Sequence, residues 1–196
     1  LRYAEASGGL NDSPVAIARA CEEILLSSGL ADEAYQRYGL QATRRSTYLA
    51  TYRAIARKYP GLPPERILRD LAESTPGEEG KWFAAAKDAK LFDLAVELAN
   101  QSPCDPRTLT RAARDFAEED PAFAIEAGIA ALRWLVEGYG YEITNFDVLD
   151  AYKHTLAAAE NAGCRKEVFE RLAELVRSET FGERFVTKVL GKDLAL

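Results

Sequence analysis

Apolar residues recur along this chain at three- and four-residue intervals, and glycine or proline interrupts them at short distances. That pattern predicts a succession of helices and no strand alternation longer than a few residues. The clearest case is 82–100, which reads as a helix, a break at Ala89-Lys90-Leu91, and a second helix folded back on the first. The first helix is predicted after a loosely ordered lead-in over 1–12. Ser13 is its cap, Pro14 its first residue, and Ile17, Ala20, Cys21, Ile24 and Leu25 its apolar stripe. Gly29 stops it, and Leu30 to Tyr38 returns. The next pair carries Tyr48, Leu49, Tyr52, Ile55 and Tyr59 on one face, breaks at Pro60-Gly61, and resumes at Pro63-Pro64 with Ile67, Leu68 and Leu71 inside.

Further on, Thr75-Pro76-Gly77-Glu78 has the composition of a capping box and predicts the start of the 82–100 hairpin. Asp105-Pro106 and Asp120-Pro121 predict two more helix starts of the same kind. The helix after Pro121 holds only Glu126 and Arg133 as charges between Phe123 and Leu135, so it is expected to be buried on most sides. Thr144 with Asp147 restarts a helix that Gly163 ends. Arg165 to Arg177 follows, and a short helix near Phe181 to Lys192 closes the chain.

Second helices of successive pairs begin near Ala34, Ile67, Ala95, Ala124 and Val168, at intervals of 33, 28, 29 and 44 residues. Asp32, Ala34 and Tyr38 after Gly29 are echoed by Asp93, Ala95 and Ala99. On these residues the chain resembles the tetratricopeptide-like helical-repeat superfamily over about residues 14–178. The resemblance implies an all-α, right-handed α-solenoid of about five helical hairpins plus a C-terminal capping helix, one domain over 13–196. It also implies that the first helices of the pairs line a concave surface where extended peptides bind. The stretches 77–89 and 102–116 are similar to a family of bacterial helical proteins of unknown function, which supplies no active site.

Composition adds bounds. At 196 residues, 47% hydrophobic and 29% charged, the chain is long enough for a sizeable core. The net charge of −6 opposes general affinity for nucleic acid or membranes. No apolar run approaches a membrane span and no signal-peptide pattern opens the sequence. Three widely spaced cysteines, Cys21, Cys104 and Cys164, suit free thiols in a reducing, cytoplasmic setting. Methionine is absent and Leu1 comes first, which reads as part of a longer protein.

Candidate chemistry is sparse. His154 is the one histidine, with no cysteine or second histidine at metal-ligand spacing, and any nucleophilic triad has to use it. Cys104, beside Asp105 at a helix start, is the candidate reactive thiol. An enzyme built on Cys104 or His154 is the last of three readings. Gly77 to Lys81 lacks the spacing and hydroxyl of a phosphate loop, and its two glutamates repel phosphate. Asn11-Asp12-Ser13 has the letters of a glycosylation acceptor, but Pro14 follows and no secretory signal accompanies it.

Charge placement changes the picture most. Segment 41–69 holds Arg44, Arg45, Arg53, Arg57, Lys58, Arg66 and Arg69 against Glu65 alone. Arg53 and Arg57 flank the face bearing Tyr48 and Tyr52. Arg107, Arg111 and Arg114 form a stripe opposite Leu109, Ala112, Ala113 and Phe116. With Lys81 and Lys153, these groups are the expected wall of a basic concave groove for an acidic peptide or protein segment, with no cofactor. Arginine suits that task because its planar fork donates two parallel hydrogen bonds to a carboxylate. Association with nucleic acid through the Arg- and Tyr-rich segment is the second reading. The plain alternative makes both stripes the solvated sides of amphipathic helices.

Overall fold

The computed structural model describes residues 14–196, so the cap at Ser13, the 1–12 lead-in and the Asn11 acceptor lie outside the described residues. Among the described residues the chain is all-helical, as the periodicity predicts. No helix among them is long and apolar enough to cross a membrane. Contacts divide the chain into two compact units, 1–67 and 68–196, and the division falls within α5 (Pro64–Glu73).

The first unit contains α1 (Pro14–Ser27), α2 (Ala31–Ala34), a π-turn over Tyr35–Gly39, α3 (Leu40–Ala42) and α4 (Tyr48–Lys58). Gly29 stops α1 in the left-handed conformation (φ 77°), with the Leu30 amide donating back to the Leu25 carbonyl, a Schellman-type end. The stripe expected on α1 is turned partly outward: Cys21 and Leu25 are half-buried beside the inner face, while Ala20 is exposed. Ile17 and Ile24 are 50% and 64% exposed, whereas Ala18 and Glu22 are buried. The physical reason is Glu22: its carboxylate accepts from Tyr59 Oη at 2.6 Å and from Lys58 Nζ at 2.6 Å, both on or just after α4. A carboxylate with such partners can sit inside, and the face that carries it turns inward. In the π-turn, Gly39 leaves room for the Tyr35 ring, which meets Tyr59 edge-on at 5.2 Å.

The second unit holds a 3₁₀ turn over Glu79–Trp82, α6 (Phe83–Asp88), α7 (Phe92–Gln101), α8 (Pro106–Asp115), α9 (Pro121–Val136), α10 (Asn145–Asn161), α11 (Arg165–Arg177) and α12 (Phe185–Leu190). The expected break is present, with Lys90 itself in the left-handed region (φ 59°). The capping box expected at Thr75 is absent. Thr75 Oγ1 turns back to the carbonyls of Leu71 and Ala72, closing α5, and accepts from Trp82 Nε1 at 2.8 Å. The other starts are as predicted: Asp105 accepts from the Thr108 amide, Asp120 from the Phe123 amide, and Thr144 with Asp147 makes a full capping box.

Helix α9 is the hub, buried along most of its length and packed on α7, α8, α10 and α11. Phe83, Phe92, Phe116 and Phe123 form one aromatic cluster with Phe92 and Phe123 stacked at 4.5 Å. That stack joins the beginnings of α7 and α9, while near their ends Trp134 Nε1 donates to the Ala99 carbonyl at 2.8 Å, so α7 and α9 run the same way. The same holds for α8 and α10. Arg107 meets Asp147 near their starts, and Asn161 at the end of α10 donates to the Ala117 carbonyl just beyond α8.

Candidate functional site

Parallel packing of α8 and α10 brings two side-chain rows face to face. On α8 the buried positions Leu109, Ala112 and Ala113 point Arg107, Thr110, Arg111 and Arg114 to the other side. On α10, Val148, Ala151 and Thr155 are buried, which leaves Asp147, Asp150 and His154 at spacings of three and four. Between the rows lies a groove of ≈370 Å³, with Asp105 at one end and Tyr141, 79% exposed, on its rim.

One end of the groove is fixed. Arg107 donates from Nε to Asp147 Oδ1 at 2.6 Å and from Nη2 to Oδ2 at 3.0 Å, and Nη2 also reaches the Glu142 carbonyl at 2.8 Å. Asp147 further accepts from the Thr144 amide and hydroxyl, both at 2.8 Å. The Arg107 hydrogen bonds, with those from Thr144, hold the Asp147 carboxyl well below the usual carboxylate range. A lowered folded-state pKa contributes stability that is complete above the unfolded value, near 4, and fades as pH falls through the folded value. The stability difference between the native chain and Asp147→Asn is therefore expected to be largest at neutral pH. It should shrink steadily below about pH 4 in urea titrations; a difference independent of pH there would contradict the assignment.

Farther along, the charges are not paired across the groove. Arg111 folds onto its own helix, donating to the Arg107 carbonyl at 3.2 Å and the Thr108 hydroxyl at 3.0 Å. Arg114 pairs with its neighbour Asp115 at 2.8 Å. Asp105 is occupied by the Thr108 amide and hydroxyl.

Of the remaining expected site residues, Lys81 pairs with Glu78 on the 3₁₀ turn, and Lys153 is exposed but does not line the groove. Arg44, Arg45, Tyr48, Tyr52, Arg53 and Arg57 belong to the first unit. There Arg44, Arg45, Arg53 and Arg57 are exposed and Tyr48 is half-buried. Tyr52 is 5% exposed, a core side chain where a partner contact requires an accessible one. Elsewhere in segment 41–69, Lys58 pairs with Glu22, Arg66 lies over the Tyr35 ring, and Arg69 pairs with Glu97.

Cys104 is not the accessible thiol its position suggested. It is 5% exposed, and burial, with the Asp105 carboxylate adding to it, pushes the thiol up to about 12, which leaves it protonated and inert at neutral pH. It does not line the groove that His154 lines. Among the described residues no group of three His, Cys, Asp or Glu side chains converges on a metal position.

Thr110, Tyr141, Asp147 and Asp150 join the site without having been expected there. The i, i+3, i+7 spacing of Asp147, Asp150 and His154 was visible in the sequence, but their partner helix was not. The chain matches no protein-family model, no curated protein and no solved structure, so its function has to be argued from this groove.

Proposed function

We propose that the chain is a non-enzymatic recognition module that binds an acidic segment of a peptide or protein partner along the α8–α10 groove. The observation that carries this reading is the row Arg107, Arg111, Arg114 on one wall of a ≈370 Å³ groove. Arg107 is held by Asp147 and the Glu142 carbonyl, which orients the wall. Arg111 and Arg114 bond only within their own helix, so their forks can turn to a partner carboxylate without breaking a long-range contact. The right-handed solenoid of about five tetratricopeptide-like hairpins stays part of this proposal. Its support lies in the second unit, where α7 runs with α9, α8 runs with α10, and each is joined to the next by a short turn.

Binding of nucleic acid has less behind it. Lys58, Arg66 and Arg69 of the basic segment are engaged with Glu22, Tyr35 and Glu97, and the net charge is −6.

Fluorescence anisotropy with a labelled Glu-rich peptide tests the reading. The double variant Arg111→Gln, Arg114→Gln is expected to weaken binding about tenfold at low salt, since two exposed ion pairs are lost. An unchanged affinity in a normally folded variant removes the groove as the binding surface. Preference for an oligonucleotide over the peptide would favour the second reading.

A further inference from the structure

The two walls of the groove carry opposite charge, and this bears on what the partner must look like. Arg107 and Asp147 face each other and bond. One turn on, Arg111 on α8 and Asp150 on α10 line the same groove, yet no second pair is made. Arg111 is bonded to its own helix, and Asp150 makes no hydrogen bond or ion pair among the described residues. A further turn on, Arg114 is held by Asp115 while His154, also without a hydrogen bond among the described residues, lines the opposite wall.

Resting on the recognition reading above, we propose that the preferred occupant is a mixed-charge segment. Its acidic side chain meets Arg111 and Arg114 on α8, and an adjacent basic side chain meets Asp150 on α10.

Charge complementarity decides between this occupant and a uniformly acidic one. A bound segment dries the groove, and an anion placed there gains from Arg111 and Arg114 while facing the Asp150 carboxylate, with Asp105 at the groove end. Like charges brought together out of water oppose binding, and a desolvated carboxylate without a partner opposes it further. A lysine or arginine of the partner removes both penalties at Asp150. The exposed ring of Tyr141 on the rim offers a face for the cation and its methylene stem. Asp147 takes no part in this balance, because Arg107 neutralises it.

The test uses the full chain and short labelled peptides of Glu-Lys, Glu-Gly and Lys-Gly repeats, read by anisotropy. The Glu-Lys repeat is expected to bind about fivefold more tightly than the Glu-Gly repeat, the worth of one exposed ion pair. Asp150→Asn should abolish that difference. Asp150→Lys should reverse it, a gain for the Glu-Gly repeat that a damaged fold cannot imitate. Equal or tighter binding of the Glu-Gly repeat to the native chain, still lost in Arg111→Gln with Arg114→Gln, overturns the mixed-charge proposal and leaves the acidic-segment reading standing. No binding of any repeat at low salt overturns both.

Discussion

Glu22→Ala is expected to destabilise the first unit by about 4 kcal/mol, the usual loss when one member of a buried ionic network is removed. Glu22 has no exposed surface, and three groups converge on it: Lys58 Nζ and Tyr59 Oη at 2.6 Å and Thr43 Oγ1 at 3.5 Å. Lys58 keeps a third of its side chain in water, so its share is modest. Most of the loss comes from the buried Tyr59 hydroxyl left without an acceptor and from the cavity where the carboxylate and its methylenes stood. Burial first, and then the hydrogen bond to Glu22, hold the Tyr59 phenol above its ordinary value, which favours the protonated, donating form. Glu22→Gln retains an acceptor for Tyr59 and loses the charge facing Lys58, so it is expected to fall between alanine and the native residue. Urea unfolding of the three proteins supplies the comparison; a loss below about 1 kcal/mol for alanine would mean that the network contributes little.

That same residue explains why the inner face of the first helix is rotated from the one periodicity selects, with only Cys21 and Leu25 of the expected stripe half-buried. Periodicity weighs hydrophobicity, and by that measure Ile17, Ala20, Cys21, Ile24 and Leu25 form the inner face. What turns α1 is a glutamate whose partners lie 36 and 37 positions later, information that no local window contains. Thr75 fails for a related reason. Its hydroxyl has competing acceptors on the preceding turn and a donor in Trp82, and tertiary placement chooses those over the following amides. By contrast, α8 was fully legible because all its determinants are local: Asp105 and Pro106 start it, and its buried and exposed rows alternate at helical spacing. Helix α9 was legible through composition alone.

The site was half legible. The arginine row follows from α8's own period, whereas the facing row of Asp147, Asp150 and His154 acquires meaning only when α10 is laid alongside α8. Summing charge over 41–69 was misleading for a similar reason. The count is right, but Glu22 and Glu97, which answer Lys58 and Arg69, lie outside the segment.

How α10 is held in place leads to the second large effect, Gly128→Ala. An ideal Cβ at Gly128 would sit 2.0 Å from Thr155 Oγ1, 2.9 Å from its Cβ and 3.2 Å from its Cγ2. Thr155 is fully buried and its hydroxyl donates to the Ala151 carbonyl at 2.6 Å, so it has little freedom to withdraw. The missing side chain on α9 is what lets α10 come this close. A methyl group there must rotate Thr155 out of its hydrogen bond or push the helices apart, and overpacking of this kind costs about 3 kcal/mol. Pushing α10 outward also shifts Asp147 relative to Arg107, which ties the packing defect to the groove. Thr155→Ala removes the two atoms at 2.0 and 3.2 Å and leaves only the contact at 2.9 Å. The double variant is therefore expected to recover more than about 1 kcal/mol over the sum of the single changes. Strict additivity in that cycle would show that the two helices accommodate the methyl group by some route other than the Gly128–Thr155 contact.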